Sequence, residues 1–183
     1  MMSKTNKTKY ALLGGLSLKS GSGYDLKKFC DFSIAHFWNE NYAHIYPVLK
    51  DMEKEGLVNK VTEQNEGRPP KNIYSITDKG RDELHEWLLL PVESCPQRNE
   101  LLLKLFFSSN IPIENLIEKI MDYRIKHEAL IEKYQRIEEI IKNDESTKDE
   151  KDLPLWLASI SFGKYHSKAI LNWCDETVKS IKK

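Results

Sequence analysis

The residues with chemical reach are few and scattered. His36, His44, His85, His127 and His166 show no H-E-x-x-H or other ligand spacing, so no metal site is expected. Cys30, Cys95 and Cys174 are odd in number, far apart and outside any C-x-x-C pattern. They are expected as reduced thiols of a cytoplasmic protein. "GSGYDL", residues 21–26, lacks the third glycine and the preceding strand of a dinucleotide fingerprint, and reads as a turn into a helix. Neither "SFG" nor "SGSG" builds a nucleophile elbow. Acids alternate with lysines along the chain as on solvated helix faces. No catalytic residue and no cofactor is expected, and the chain does not read as an enzyme.

A different chemistry is carried by "NYAHIYPVLKDMEKEGLV", residues 41–58. Asn41 can cap a helix and Gly56 can stop it. Ile45, Leu49 and Met52, flanked by Val48, make one stripe for a core. Tyr42, Tyr46 and Lys50 lie on another side. Such a helix suits the major groove of DNA. There Tyr42 and Tyr46 can hydrogen-bond phosphates or bases, and Lys50 can meet a phosphate or a guanine edge. The competing reading is that these tyrosines cover neighbouring helices, and for Tyr46 alone the two balance.

The formal net charge is zero, whereas non-specific nucleic-acid coats are basic because phosphate neutralisation drives them. Any DNA contact must therefore be local. Lys4, Lys7 and Lys9, then Lys50, Arg68 and Lys71 are the candidate cations.

The elements that must hold these groups follow from pattern. Residues 8–19 read as an apolar helix. Ser22 and Asp25 can form a capping box that starts a second. After Gly56, "LVNKVT" and "NIYSIT" are short β-like runs joined by "EQNEGRPPK", a hairpin with a long loop. Thr77 can cap a further helix, with Asp78 at its positive end. Residues 1–90 are expected as one domain, and "PVESCPQRN" as a linker.

Residues 97–183 read as purely helical. Ile113, Leu116, Ile120, Tyr123, His127, Leu130, Tyr134, Ile137 and Ile141 step by three and four alternately, a coiled-coil seam. The seam spans ~45 Å at ~1.5 Å per residue, more than a short helical hairpin is expected to cover. Pro154 opens a last helix whose apolar residues spread over more than one face. The fold class is thus mainly α with a small β-hairpin: an N-terminal winged helix-turn-helix and a C-terminal coiled-coil-like dimerisation domain. No run approaches the ~18 apolar residues of a membrane span, so no membrane partner is expected.

One ordered set of residues goes further. Gly23-Tyr24-Asp25-Leu26, Ile45-Tyr46-Pro47 with Leu49, Glu55-Gly56-Leu57-Val58, Gly67-Arg68-Pro69 with Lys71 and Tyr74, and Ile76-Thr77 with Gly80 resemble the PadR family of bacterial transcriptional regulators. The C-terminal half resembles members with a virulence-activator-type helical extension, through pattern more than fixed motifs. The resemblance implies a homodimeric winged-helix protein, more often a repressor than an activator. It also implies Tyr46 in the recognition helix and Arg68 in the wing as DNA contacts. Asn41, Tyr42 and His44 depart from many relatives, so operator sequence does not carry across, and Glu63 and Glu66 make the wing less basic.

The expected DNA contacts are Lys9, Asn41, Tyr42, His44, Tyr46, Lys50, Arg68 and Lys71, on a pseudo-palindromic duplex. The expected dimer interface is Ile113, Leu116, Ile120, Tyr123, His127, Leu130, Trp156, Ile160 and Trp173, because a lone seam would leave apolar surface in water. Some relatives bind aromatic or hydrophobic small molecules, and Phe106, Tyr123, Trp156 and Tyr165 are the candidate lining here. Ordinary packing is the competing reading. An alternative function is a winged-helix module that binds protein and ignores DNA.

Overall fold

Short polar residues decide where the helices begin. Ser22 accepts the Asp25 amide while the Asp25 carboxylate accepts the Ser22 amide, a complete capping box at the start of α2, Gly23–Ser33. Asn41 accepts the Ala43 amide at the start of α3, Tyr42–Lys54. Thr77 accepts the Gly80 amide at the start of α4, Asp78–Leu89. Each cap satisfies a backbone donor that the first turn leaves unpaired. A computed structural model of the chain describes residues 6–35, 37–38, 40–64, 69–93, 98–145, 147 and 150–182. It divides into two compact units, Met1–Ser94 and Cys95–Lys183.

In the first unit α1, Lys7–Leu18, lies at the centre, against α2, α3 and α4. Leu12, Leu13 and Leu16 of α1 meet Leu26 of α2 and Ile45, Leu49 and Met52 of α3 in one buried cluster. Gly56, at φ +73°, follows α3 and turns the chain into β1, Val58–Glu63, which pairs antiparallel with β2, Lys71–Ile76. The register sets Val58 against Ile76 and Glu63 against Lys71. At the root of this hairpin Gly21 and Tyr74 exchange both backbone hydrogen bonds, at 3.0 and 2.9 Å. The turn before α2 is thereby tied to the wing.

The second unit contains α5, Glu100–Phe106, then α6, Ile113–Asn143, and α7, Leu153–Ile181. Leu116 and Ile120 of α6 pack with Cys174 and around it Ile170, Trp173 and Val178 of α7. Further along, Tyr134 and Ile137 pack with Ile160 and Leu157. The two helices therefore run antiparallel, and much of the α6 seam is buried inside the chain. This corrects the expectation that only a second copy could cover it: α7, at 29 residues, is nearly as long as the 31 residues of α6. No helix among the described residues is long and apolar enough to cross a membrane.

Candidate nucleic-acid interface

The exposed side of α3 is built by what its other side buries. Ile45 and Leu49 are fully enclosed, with Val48 and Met52 beside them. This leaves Asn41, Ala43, His44, Tyr46, Pro47 and Lys50 facing solvent. The start of the helix is anchored by a group that the sequence does not single out. Glu40 is buried, accepts the Thr8 hydroxyl of α1 at 3.1 Å, and also accepts the Trp38 indole N–H. Its neighbour Asn41 is the cap, so α3 is fixed in direction at its first residue.

Tyr46 covers a neighbouring helix and still reaches solvent. Its ring lies over Gly23, where a Cβ would stand 2.7 Å from the Tyr46 Cε1, so a larger residue there would displace the ring. The side chain nevertheless remains 51% exposed. Lys50, one turn on, has no carboxylate within ion-pair distance among the described residues, unlike Lys54 and Lys60 nearby. A tyrosine hydroxyl and an unpaired ammonium four residues apart on one exposed stripe can together engage a phosphate or a base edge.

Other expected contacts are placed differently. Lys9 is corrected: its ammonium is held by Glu83 at 2.5 Å and lies 3.9 Å from Glu55, with only 20% of its side chain exposed. Burial pulls against its charge, but the Glu83 hydrogen bond and neighbouring carboxylates outweigh that and raise its pKa. It ties α1 to α4 and is not free to meet a phosphate. Lys7 pairs with Glu93 at 3.1 Å. Lys71 sits at the loop end of the hairpin, 2.9 Å from Asp25 and half exposed. Lys71, with the Ser22 amide and hydroxyl, holds the Asp25 carboxyl down at about 2. Tyr42 opens α3, but its side chain, like Lys4 and all of Arg68, lies outside the described residues.

In the second unit the expected interface is corrected in part. Leu116, Ile120, His127 and Ile160 are buried by their own chain. Tyr123, Leu130, Trp156 and Trp173 are half buried and Ile113 is exposed. Further apolar side chains face solvent, among them Leu102, Leu103, Phe106 and Phe107 around α5, Ile125 and Ile140 on α6, and Leu155, Phe162 and Tyr165 on α7. Inside the hairpin, His127 Nδ1 lies 3.2 Å from Ser167 Oγ, with Tyr123 and His166 packed edge-on against the His127 ring. Burial, then the His166 charge, lower the His127 pKa.

The expected effector lining does not converge within one chain. Tyr123 stands at the level of Trp173, whereas Trp156 lies beyond the His127–Ser167 pair, roughly 16 Å further along α7 at ~1.5 Å per residue. Phe106 is 82% and Tyr165 72% exposed. Tyr123 borders an open recess of about 440 Å³ with Arg98, Asn99, Lys104 and Lys126 among its walls. The Asn99 amide donates to the Tyr123 hydroxyl there, at 3.3 Å.

The sequence and the fold have known counterparts. The Transcriptional regulator PadR-like family profile matches residues 12–86, and the Virulence activator alpha C-term profile matches residues 97–182. The chain is 27% identical over 186 residues to the Negative transcriptional regulator PadR of Bacillus subtilis, covering 96% of this chain and 97% of that protein. A crystal structure of Bacillus subtilis PadR in complex with operator DNA superposes with TM-score 0.84 at 24% identity, over 97% of this chain and 99% of that one, a likeness of fold. The Vibrio cholerae virulence activator AphA superposes with TM-score 0.74 at 27% identity, over 95% of this chain and 97% of that one. The chain belongs to the PadR-like family of transcriptional regulators, joining a PadR-like N-terminal domain to a virulence-activator helical C-terminal domain.

Proposed function

We propose that the chain is a homodimeric, sequence-specific DNA-binding regulator that acts by occupying a pseudo-palindromic operator, as a repressor, in the cytoplasm and without catalysis. The observation that carries this is the exposed α3 stripe, where His44, Tyr46 and Lys50 stand clear while the opposite face is locked into the core. Asn41 and Tyr42 lie at the entry of the same helix, Lys71 opens β2 of the wing, and Arg68 is a contact that the family resemblance implies. Lys71 is half exposed, so it can exchange Asp25 for a phosphate when the wing meets DNA. Repression is supported by the name of the Bacillus subtilis relative, the Negative transcriptional regulator PadR.

Dimerisation is supported by the apolar side chains left in water around α5 and on α7, surfaces that a second copy would cover. Ile113, Tyr123, Leu130, Trp156 and Trp173 are exposed or half exposed and remain available to it. In a two-fold dimer two α3 stripes call for half-sites about one helical turn, ~34–36 Å, apart. A small aromatic effector is supported by the structure of Bacillus subtilis PadR in complex with p-coumaric acid, whose chain is 25% identical. Such a ligand acts by its difference in affinity between DNA-competent and incompetent states.

The test is an anisotropy titration of the full-length protein on the promoter of its own gene and on random duplex. Binding should weaken linearly in log salt, and tighten on the specific duplex. A flat, negligible signal on both would instead support a protein-binding winged helix, a reading favoured by the ion pairs that consume Lys7 and Lys9.

A further inference from the structure

We infer that α2 carries a second phosphate contact, Tyr24 with Lys28, that repeats the Tyr46–Lys50 arrangement of α3. The inference deepens the DNA-binding function proposed above and rests on it. Two tyrosine–lysine pairs at four-residue spacing sit on the solvent sides of adjacent helices. Spacing of four places each pair on one face. They adjoin where the Tyr46 ring covers Gly23, the residue before Tyr24. The exposed surface therefore passes from Lys50 and Tyr46 on α3 to Tyr24 and Lys28 on α2.

The α2 pair is already organised. Tyr24 is half exposed although it is a large aromatic at the start of a well-packed helix, with Leu26 and Cys30 buried on the other side. The Lys28 ammonium lies 4.8 Å from the Tyr24 ring centroid, close enough for the ring quadrupole to steady it. Among the described residues Lys28 has no carboxylate within ion-pair distance, while its neighbour Lys27 is paired with Asp31. Asp25, the acid nearest the pair in sequence, is already engaged by Ser22 and Lys71. A helix that precedes a recognition helix crosses the sugar-phosphate backbone. A phenol donor and an unpaired ammonium on that helix are the groups that phosphates attract, irrespective of base sequence.

The test uses the full-length protein and a fluorescein-labelled duplex of random sequence, with affinity measured against salt. Lys28→Ala should flatten the slope of log affinity against log salt by about 0.9 for each lysine removed. Lys28→Arg should keep the slope. Tyr24→Phe should weaken binding equally at every salt concentration, since it deletes a neutral donor. Thermal melting should match the parent in all three, because both side chains are exposed. If Lys50→Ala weakens binding while Lys28→Ala and Tyr24→Phe behave as the parent, α2 does not touch the backbone and the inference fails, though the α3 assignment survives. If the parent shows no salt-dependent binding, both fall together.

Discussion

Ile120→Ala separates a seam inside the chain from a seam between chains. Ile120 is 0% exposed and packed against Leu116 and Cys174. Trimming a fully buried isoleucine to alanine removes its transfer free energy and leaves a cavity, together costing about 2–5 kcal/mol. In a unit of this size each 1 kcal/mol lowers the melting temperature by about 4–8 °C. The transition of the second unit should therefore fall by roughly 10 °C or more, independently of protein concentration. Urea unfolding followed by circular dichroism measures this, with the midpoint falling and the slope unchanged. The control is Lys133→Ala, at an exposed polar position on α6, which should leave the urea midpoint nearly in place. The reasoning is refuted if Ile120→Ala keeps the parent midpoint and instead converts dimers to monomers in sedimentation.

Four further outcomes follow from the same geometry. Phe106→Glu combined with Phe107→Glu should yield folded monomers by sedimentation velocity; a persistent dimer would place the interface elsewhere. Because burial depresses the His127 pKa below 6.5, the unfolded chain binds the proton more readily. The stabilisation from a neutral His127 is thus full above pH 6.5 and is lost as pH falls through the lower folded value. Urea midpoints of the second unit should drop on acidification, and His127→Gln should flatten that dependence; an unchanged profile would contradict it. The Asp25 carboxyl, held at about 2, should titrate closer to its ordinary 3.8 in Lys71→Ala when followed by NMR, and an unmoved midpoint would dissolve the pair. Gly23→Ala would set a Cβ against the Tyr46 ring, so DNA affinity should fall with little change in melting, as the ring can swing away.

Much of the first unit was legible because its signals are local. Ser22 with Asp25, Asn41, Thr77 and the two β-like runs each act within a few residues, and the structure uses them as their chemistry suggests. The α6 seam was equally visible, but periodicity reports that a stripe is buried and says nothing of which chain buries it. The spread apolar pattern of the last helix was the clue that one of its faces answers that stripe. Lys9 was misplaced for a similar reason: Glu83 is 74 residues away, beyond any spacing rule. The aromatic set named for an effector is spread along the hairpin within one chain, because the level of a residue along an antiparallel pair cannot be read from its type. Glu40 escaped notice because burial of a carboxylate beside Thr8 and Trp38 depends on the tertiary fold.

The central claim is that the α3 stripe meets the duplex, and amide mapping tests it most directly. Full-length, deuterated, nitrogen-15-labelled protein titrated with operator duplex should show its largest shift changes at His44, Tyr46 and Lys50, with the buried Ile45 and Leu49 side of α3 less affected. Changes confined to α4 or to the second unit, with the α3 amides unmoved, would contradict the account.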